Sequence, residues 1–296
     1  MSATFPPRDA IDPTLVTALV RAEFPRWGGD PVVAVPESGN DHRTFRLGRD
    51  HLVRLPADAD YVPQVEKEQR WLPRLAPLLP LRIPVVAGRG RATALFPAPW
   101  SVYEWIDGHR PDAARMTDDV ALADGLASFL AALRRVDADG GPAPGLHSAF
   151  RGGDVAQWED QVLPRLALLD RSDRDRARGI WREAVDATFT GPPVWVHGDV
   201  AIGNLLVDDD HRLTAVIDFG CSAVGDPACD TVILWTRFRG HARTTFRRTL
   251  GFDDATWARG AGWTLWKGLI MLTNVTPGEA DFARHVLAEV LGRDPR

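Results

Sequence analysis

A chain of 296 residues, 45% of them apolar, is long enough for one large domain or for two lobes around a sizeable core. Its net charge of −5 argues against a general nucleic-acid binder, which needs a concentrated basic surface, and leans towards a cationic small molecule as partner. No apolar run approaches the ~20 residues of a membrane-spanning helix and MSATFPPRDAIDP has no signal-peptide pattern, so a cytoplasmic protein without a membrane partner is expected.

In chain order, Asp12-Pro13 followed by Leu15, Val16, Leu19, Val20 and Phe24 predicts a capped amphipathic helix. Strand-like runs at residues 32–35, 44–47 and 51–55, split by turn formers in ESGNDH and GRD, predict an antiparallel meander. Helical spacing of Glu66, Glu68, Trp71, Leu72, Leu75 and Leu78 predicts a helix over 65–79, ending before Pro80. Two more strands are expected at 93–96 and 100–105, closed by Ile106-Asp107-Gly108. The pattern then turns helical over 118–136, 155–169 and 174–189. Short strands at 205–207 and 214–217 flank Asp208-Asp209-Asp210, a solvated turn lacking the spaced ligands of a calcium loop. Helices resume at Pro227 behind an Asp226 cap. The two cysteines, Cys221 and Cys229, fit a reducing compartment and form no zinc pattern. Strands first and helices later predict an α+β fold, with a small antiparallel-sheet N-lobe over 1–105 and a larger helical C-lobe over 106–296.

The chemistry is concentrated in residues 195–220, WVHGDVAIGNLLVDDDHRLTAVIDFG. Phosphoryl transfer from a nucleotide needs magnesium ligands, a carboxylate beside the acceptor hydroxyl, a cation on the phosphates and backbone amides over them. Mg²⁺ takes hard oxygen ligands, which Asp and Asn at strand ends supply. His197-Gly198-Asp199 is followed after four residues by Asn204 and, across a hairpin, by Asp218-Phe219-Gly220. In that arrangement Asp199 can orient the hydroxyl and accept its proton, while Asn204 and Asp218 hold magnesium.

The spacing H-x-D-x₄-N followed by D-F-G matches the protein-kinase signature set, with Gly198 in place of the usual arginine. Together with GDPACD at 225–230 it resembles the aminoglycoside phosphotransferase family, the antibiotic kinases of the protein-kinase-like fold. The resemblance extends over residues 35–235: SGNDHRTFRLG and HLVRLP look like the nucleotide loop and third strand, EKEQRWL like the lobe-bridging helix and WSVYEWIDG like the hinge. It implies a two-lobed fold, Mg²⁺ with ATP or GTP as phosphate donor, and a small-molecule hydroxyl acceptor of aminoglycoside type, cationic in character. Arg54 would steady the phosphates, aligned by Glu68 with Glu66 as competitor, and amides near Ser38, Gly39 and Asn40 would cover them. Main-chain groups of Glu104 and Ile106 would meet the adenine, with Tyr103 behind. His197 and Asp230 would brace the catalytic loop, and Asp226 would start a helix. Glu159, Asp160, Asp253 and Asp254 are the candidates for a polycationic acceptor.

A metabolic kinase acting on choline, a sugar or homoserine, or a macrolide phosphotransferase, would carry the same stretch. The segment between Gly108 and Phe189 distinguishes them, an acidic pocket favouring an aminoglycoside, an aromatic box a quaternary amine and an apolar cavity a macrolide. A two-metal phosphoesterase has its motifs in a different order. A catalytically dead nucleotide-binding relative is disfavoured because Asp199, Asn204 and Asp218 are all present.

Overall fold

The computed structural model describes residues 5–36, 39, 41–111, 119–273 and 278–292. Asp12 accepts the amide of Leu15 at 2.8 Å and Pro13 takes the first helical position, so α1 (Pro13–Glu23) begins where expected. Its Val16, Leu19 and Val20 pack against a five-stranded antiparallel sheet of order β1-β2-β3-β5-β4. The strands are β1 (Val32–Ala34), β2 (His42–Leu47), β3 (His51–Pro56), β4 (Val86–Gly90) and β5 (Trp100–Glu104). Alternation along β3 sends Val53 and Leu55 into the core shared with α1, together with Phe45, Trp100 and Val102. Leu52 and Arg54 therefore face the other way, toward the rest of the chain.

Residues 93–96 form a turn rather than the expected strand. Thr93 Oγ1 accepts the amides of Leu95 and Phe96 at 3.2 and 3.3 Å, just before Pro97. The strand lies earlier, at β4, whose two glycines are poor strand formers. Both are there for space, since a Cβ on Gly90 would sit 2.1 Å from the Trp100 indole and one on Gly88 3.0 Å from Phe24.

Helix α2 (Val62–Leu75) starts ahead of the expected residue 65 and ends in a single 3₁₀ turn, Ala76–Leu78. Its Trp71, Leu72 and Leu75 enter a second core, where Trp71 meets Trp195 edge-on with ring centroids 5.0 Å apart. The remaining helices are α3 (Val120–Leu133), α4 (Glu159–Arg165), α5 (Arg171–Asp186), α6 (Ile233–Thr236), α7 (Gly240–Leu250), α8 (Asp254–Met271) and α9 (Glu279–Val290). α3 packs on α7, and α8 packs against α4, α5 and α9. The helix expected over 155–169 is broken into α4 and flanking 3₁₀ turns; Pro164 has no amide proton to continue it. The helix expected from Pro227 opens as a 3₁₀ turn, Pro227–Thr231, ahead of α6. Among the described residues no helix is long and apolar enough to cross a membrane.

Beneath the sheet lie two small strand pairs. β7 (Leu205–Val207) and β8 (Leu213–Val216) form the expected hairpin, with Asp208 Oδ1 accepting the amides of Asp210 and Arg212 in its turn. β6 (Val194–Val196) and β9 (Ala223–Gly225) pair antiparallel and are too short to leave an alternation in the sequence. Below β9, buried Asp226 is gripped by buried Arg259 through Nε–Oδ2 at 2.7 Å and Nη2–Oδ1 at 3.1 Å. Arg259→Met should destabilise the fold by about 3–5 kcal/mol in urea titrations, because it strands a buried carboxylate; adding Asp226→Asn should recover part of that loss. Equal losses in the single and double variants would contradict this reading.

Candidate active site

The chain leaves β6 at Val196 and turns at once. Gly198 has φ +84°, and a Cβ there would come 2.2 Å from the Cys221 carbonyl, so glycine stands where protein kinases carry arginine. Buried Asp230 fixes the turn by accepting the amides of His197 at 2.9 Å and Gly198 at 2.7 Å. Burial raises its pKa, and those amides with His197 oppose the rise. The His197 ring accepts the Asp199 amide at Nδ1, 3.3 Å away, and so donates from Nε2 to the Ile217 carbonyl at 3.0 Å. The ring thereby ties this loop to the exit of β8.

Asp199 projects from the loop with its side chain 39% exposed and Lys267 Nζ 3.6 Å from Oδ1. Asn204 Nδ2 donates to the Asp199 carbonyl at 2.9 Å and to Oδ2 at 3.2 Å, while the Asn204 carbonyl accepts the Ile217 amide at 2.8 Å. One asparagine thus joins the Asp199 loop to the two strand ends. Asp218 follows in a left-handed backbone conformation, φ +67°.

Arg54 reaches across from the sheet, and its Nη2 donates to Asp218 Oδ1 at 3.1 Å. Crowding by protein works to raise the Asp218 pKa, but the guanidinium wins and holds it at about 2. Arg54 Nη1 also pairs with Oε1 of buried Glu68 on α2 at 3.5 Å, and the Tyr103 hydroxyl donates to Glu68 Oε2. Burial pushes Glu68 up and Tyr103 well up; Arg54, though half-buried, is held charged by Asp218 and Glu68. Glu66, the competitor for Arg54, is exposed.

Between the sheet and the hairpin lies a cleft of about 500 Å³, lined by Gly39, Leu52 and Arg54 on one side, Tyr103, Glu104 and Ile106 at the back, and Asn204, Leu206 and Asp218 on the other. At the back, the Glu104 amide donates to Val85 at 2.9 Å, whereas the Ile106 amide has no protein partner among the described residues. The Gly39 carbonyl accepts Arg8 Nη2 at 2.7 Å. Ser38 and Asn40 lie outside the described residues. His109 and Arg110, unforeseen in the sequence, line the same cleft.

The residues fit magnesium. Asn204 has its amide nitrogen engaged and keeps Oδ1 as an acceptor, and Asp218 is ionised well below neutral pH. Mg²⁺ bound to nucleotide needs only one or two protein carboxylates or amide oxygens, completing its shell with water and phosphate. Among the described residues no cluster of three or more His, Cys, Asp or Glu offers a larger donor set.

Asp199 faces a second, smaller cleft shared with Arg151, Trp263, Trp266 and Lys267. The four acidic candidates are not gathered there. Glu159 accepts the Trp181 indole N–H at 3.3 Å, and Asp160 is exposed in the first turn of α4. Asp253 caps α8 through the Thr256 amide at 2.8 Å, and Asp254 is in its first turn. At 1.5 Å per residue along α8 both lie roughly 20 Å from Lys267.

Two further site residues escaped sequence reasoning, although composition marks these two. The chain's 35 basic residues include only two lysines, Lys67 and Lys267, and both are here. Lys67, one turn before Trp71 on the buried stripe of α2, donates to the carbonyls of Gly220 at 2.6 Å, Ser222 at 2.8 Å and His147 at 3.1 Å. A compact ammonium can converge on three carbonyls in a way a planar guanidinium cannot.

A family model described as the phosphotransferase enzyme family matches residues 32–263. The chain belongs to the phosphotransferase enzyme family. Among solved structures it is similar to the GDP complex of aminoglycoside 2'-phosphotransferase-IIIa, with a TM-score of 0.75 and 22% identity over 95% of this chain and 99% of that one. It is likewise similar to a GDP and kanamycin complex of an aminoglycoside 2''-phosphotransferase, with a TM-score of 0.73 and 22% identity over 94% and 98% of the two chains. Macrolide 2'-phosphotransferase MphH from Brachybacterium faecium gives a TM-score of 0.61 and 23% identity over 96% and 99%. No curated protein matches the sequence. The neighbours share the two-lobed kinase-like fold expected from the sequence.

Lys67 gives this site a pH signature. Burial holds its pKa down at about 8 against the usual 10.5. Between those values the unfolded chain binds more protons, so the folded state gains stability as pH rises through that window and loses the gain as pH falls through 8. The stability of the wild type relative to Lys67→Met, from urea titrations, should therefore increase from about pH 7 to about pH 10. A flat difference would contradict the assignment.

Proposed function

We propose that this phosphotransferase is a small-molecule kinase of the antibiotic-kinase type, moving the γ-phosphate of ATP or GTP to an alcohol hydroxyl. The observation that carries the reading is the joint held by Asn204. It binds Asp199, which faces the small cleft, and it belongs to the hairpin end next to Asp218, which faces the large one. A donor in the large cleft and the reacting end of an acceptor at the small one, which is only about 10 Å³, would meet there.

In this reading the Asp199 carboxylate takes the proton of the acceptor hydroxyl as its oxygen bonds to the γ-phosphorus. The bond from γ-phosphorus to the bridging oxygen breaks, and its electron pair leaves with the nucleoside diphosphate. Asn204 and Asp218 would hold Mg²⁺, which supplies charge neutralisation on the phosphates when bound. Arg54 would steady the phosphates, kept in place by Glu68 and Tyr103. The Glu104 carbonyl and Ile106 amide would meet the base, with Leu52 and Leu206 on its faces. His197, Asp230 and Asp226 act through the backbone they hold.

The acceptor was expected to be a polycationic aminoglycoside. Supporting a different acceptor is the surrounding of Asp199, where indoles and cations stand in place of carboxylates. The direct test is a nucleotide-turnover screen over aminoglycosides, macrolides, peptide antibiotics, sugars and choline. With any acceptor found, Asp199→Asn should lower kcat by about 10²–10⁴ while leaving Mg²⁺-nucleotide affinity within about twofold. Unchanged acceptor-dependent turnover would remove Asp199 from its role, and absence of Mg²⁺-nucleotide binding by the wild type would remove the kinase reading.

A further inference from the structure

We infer that the small cleft beside Asp199 is an oxyanion subsite, and that the acceptor carries a carboxylate or phosphate near its reacting hydroxyl together with a flat or apolar body. The inference rests on the kinase reading above and supplies the acceptor class that reading leaves open.

Arg151 carries the argument. Among the described residues its guanidinium is bonded to no carboxylate or carbonyl, and it is held by two indoles instead, 4.5 Å from the ring centre of Trp266 and 5.1 Å from that of Trp263. Cation–π contacts of this kind place the guanidinium without consuming its N–H groups, which leaves its fork free to bind an oxyanion in bidentate fashion. Its own stem lies against the catalytic turn, for a Cβ on Gly198 would come 2.9 Å from Arg151 Cβ. The base of the Arg151 side chain is therefore packed on the Asp199 loop itself.

Lys267 supplies the second cation, 3.6 Å from Asp199 Oδ1 and 24% exposed. It is one of two lysines in a chain otherwise built on arginine, and the other grips the segment after Asp218. Two cations and one carboxylate line the cleft, and that carboxylate is the proposed base. A polycationic acceptor would meet like charge where its hydroxyl must dock; an oxyanion would complete the set. Trp158 stacks on Trp266 with ring centroids 4.8 Å apart, and the Trp266 N–H is satisfied by Gln161 Oε1 at 3.0 Å, which holds a flat apolar wall beside the cations. Glu159 is tied to Trp181, and neither it nor Asp160 lines the cleft.

Two matched pairs of probes test this: mandelate against mandelamide, and glycerol phosphate against glycerol, with kanamycin as the cationic arm. Binding to the intact protein in the presence of Mg²⁺ and a non-hydrolysable ATP analogue is followed by NMR line broadening, and turnover by coupled nucleotide assay. At least one anion should bind about tenfold or more tightly than its neutral twin. Arg151→Gln and Lys267→Gln should each erase most of that preference. A carboxylate preference alone and a phosphate preference alone identify the source; both support the subsite. Equal binding within both pairs, or kanamycin binding more tightly than every anion, overturns it. So does a loss of kcat in both variants that is the same for charged and neutral acceptors, since that would assign the cations to the transferred phosphoryl group. Nucleotide affinity measured on the same samples reports separately on the kinase reading, and near-UV circular dichroism reports on folding of the variants.

Discussion

The ion pair between Arg54 and Asp218 is the contact on which the rest of the site depends. One partner sits on the third strand of the sheet and the other at the end of the hairpin, so a single bond of 3.1 Å spans the large cleft. It keeps Asp218 ionised with a pKa of about 2 despite the protein around it, and it requires Glu68 to hold the guanidinium from the other side. Helix α2 grips the same region twice. Glu68 acts through Arg54, and its neighbour Lys67 binds the carbonyls of Gly220 and Ser222 directly after Asp218. A shift of α2 would therefore disturb both the carboxylate and the backbone that follows it.

Below the cleft the loop carrying Asp199 is organised by a separate, drier device. Asp230 takes the amides of His197 and Gly198, the His197 ring reaches the Ile217 carbonyl, and the sharp turn at Gly198 admits no side chain. Buried hydrogen bonds of this kind gain little net energy, but each is costly to leave unmade, which gives the loop one conformation. The cleft-spanning ion pair and the buried anchor meet at Asn204 and Ile217. Donor and acceptor sides are thereby held in a fixed relation by residues adjacent along one hairpin.

Much of this was legible in the sequence because the local patterns are short. The H-x-D-x₄-N and D-F-G spacings marked Asp199, Asn204 and Asp218, and the resemblance of HLVRLP to a third strand marked Arg54, which the structure places on the face opposite Val53. Patterns fail where packing overrides propensity. Gly88 and Gly90 are poor strand formers and gave no strand signal, yet they stand in a strand because Phe24 and the Trp100 indole occupy the space a side chain would need. The pair β6 and β9 leaves no trace, as three residues cannot show a period. The small cleft was hidden for another reason: Arg151 and Lys267 come from distant parts of the chain, and no local spacing relates them. Acidic residues were named there on resemblance alone, and the fold uses Asp253 as a helix cap instead.

A double-mutant cycle on Mg²⁺-ATP affinity measures the coupling of Arg54 to Asp218 directly. Arg54→Met and Asp218→Asn each remove one end of the bridge, and the double variant removes both. If the pair sets up the donor site as a unit, the double variant should bind about tenfold or more tightly than the sum of the single losses requires, a coupling of about 1.4 kcal/mol or above. Losses that simply add, within about 0.3–0.5 kcal/mol, would show the two residues acting independently and would contradict the central place given to their contact.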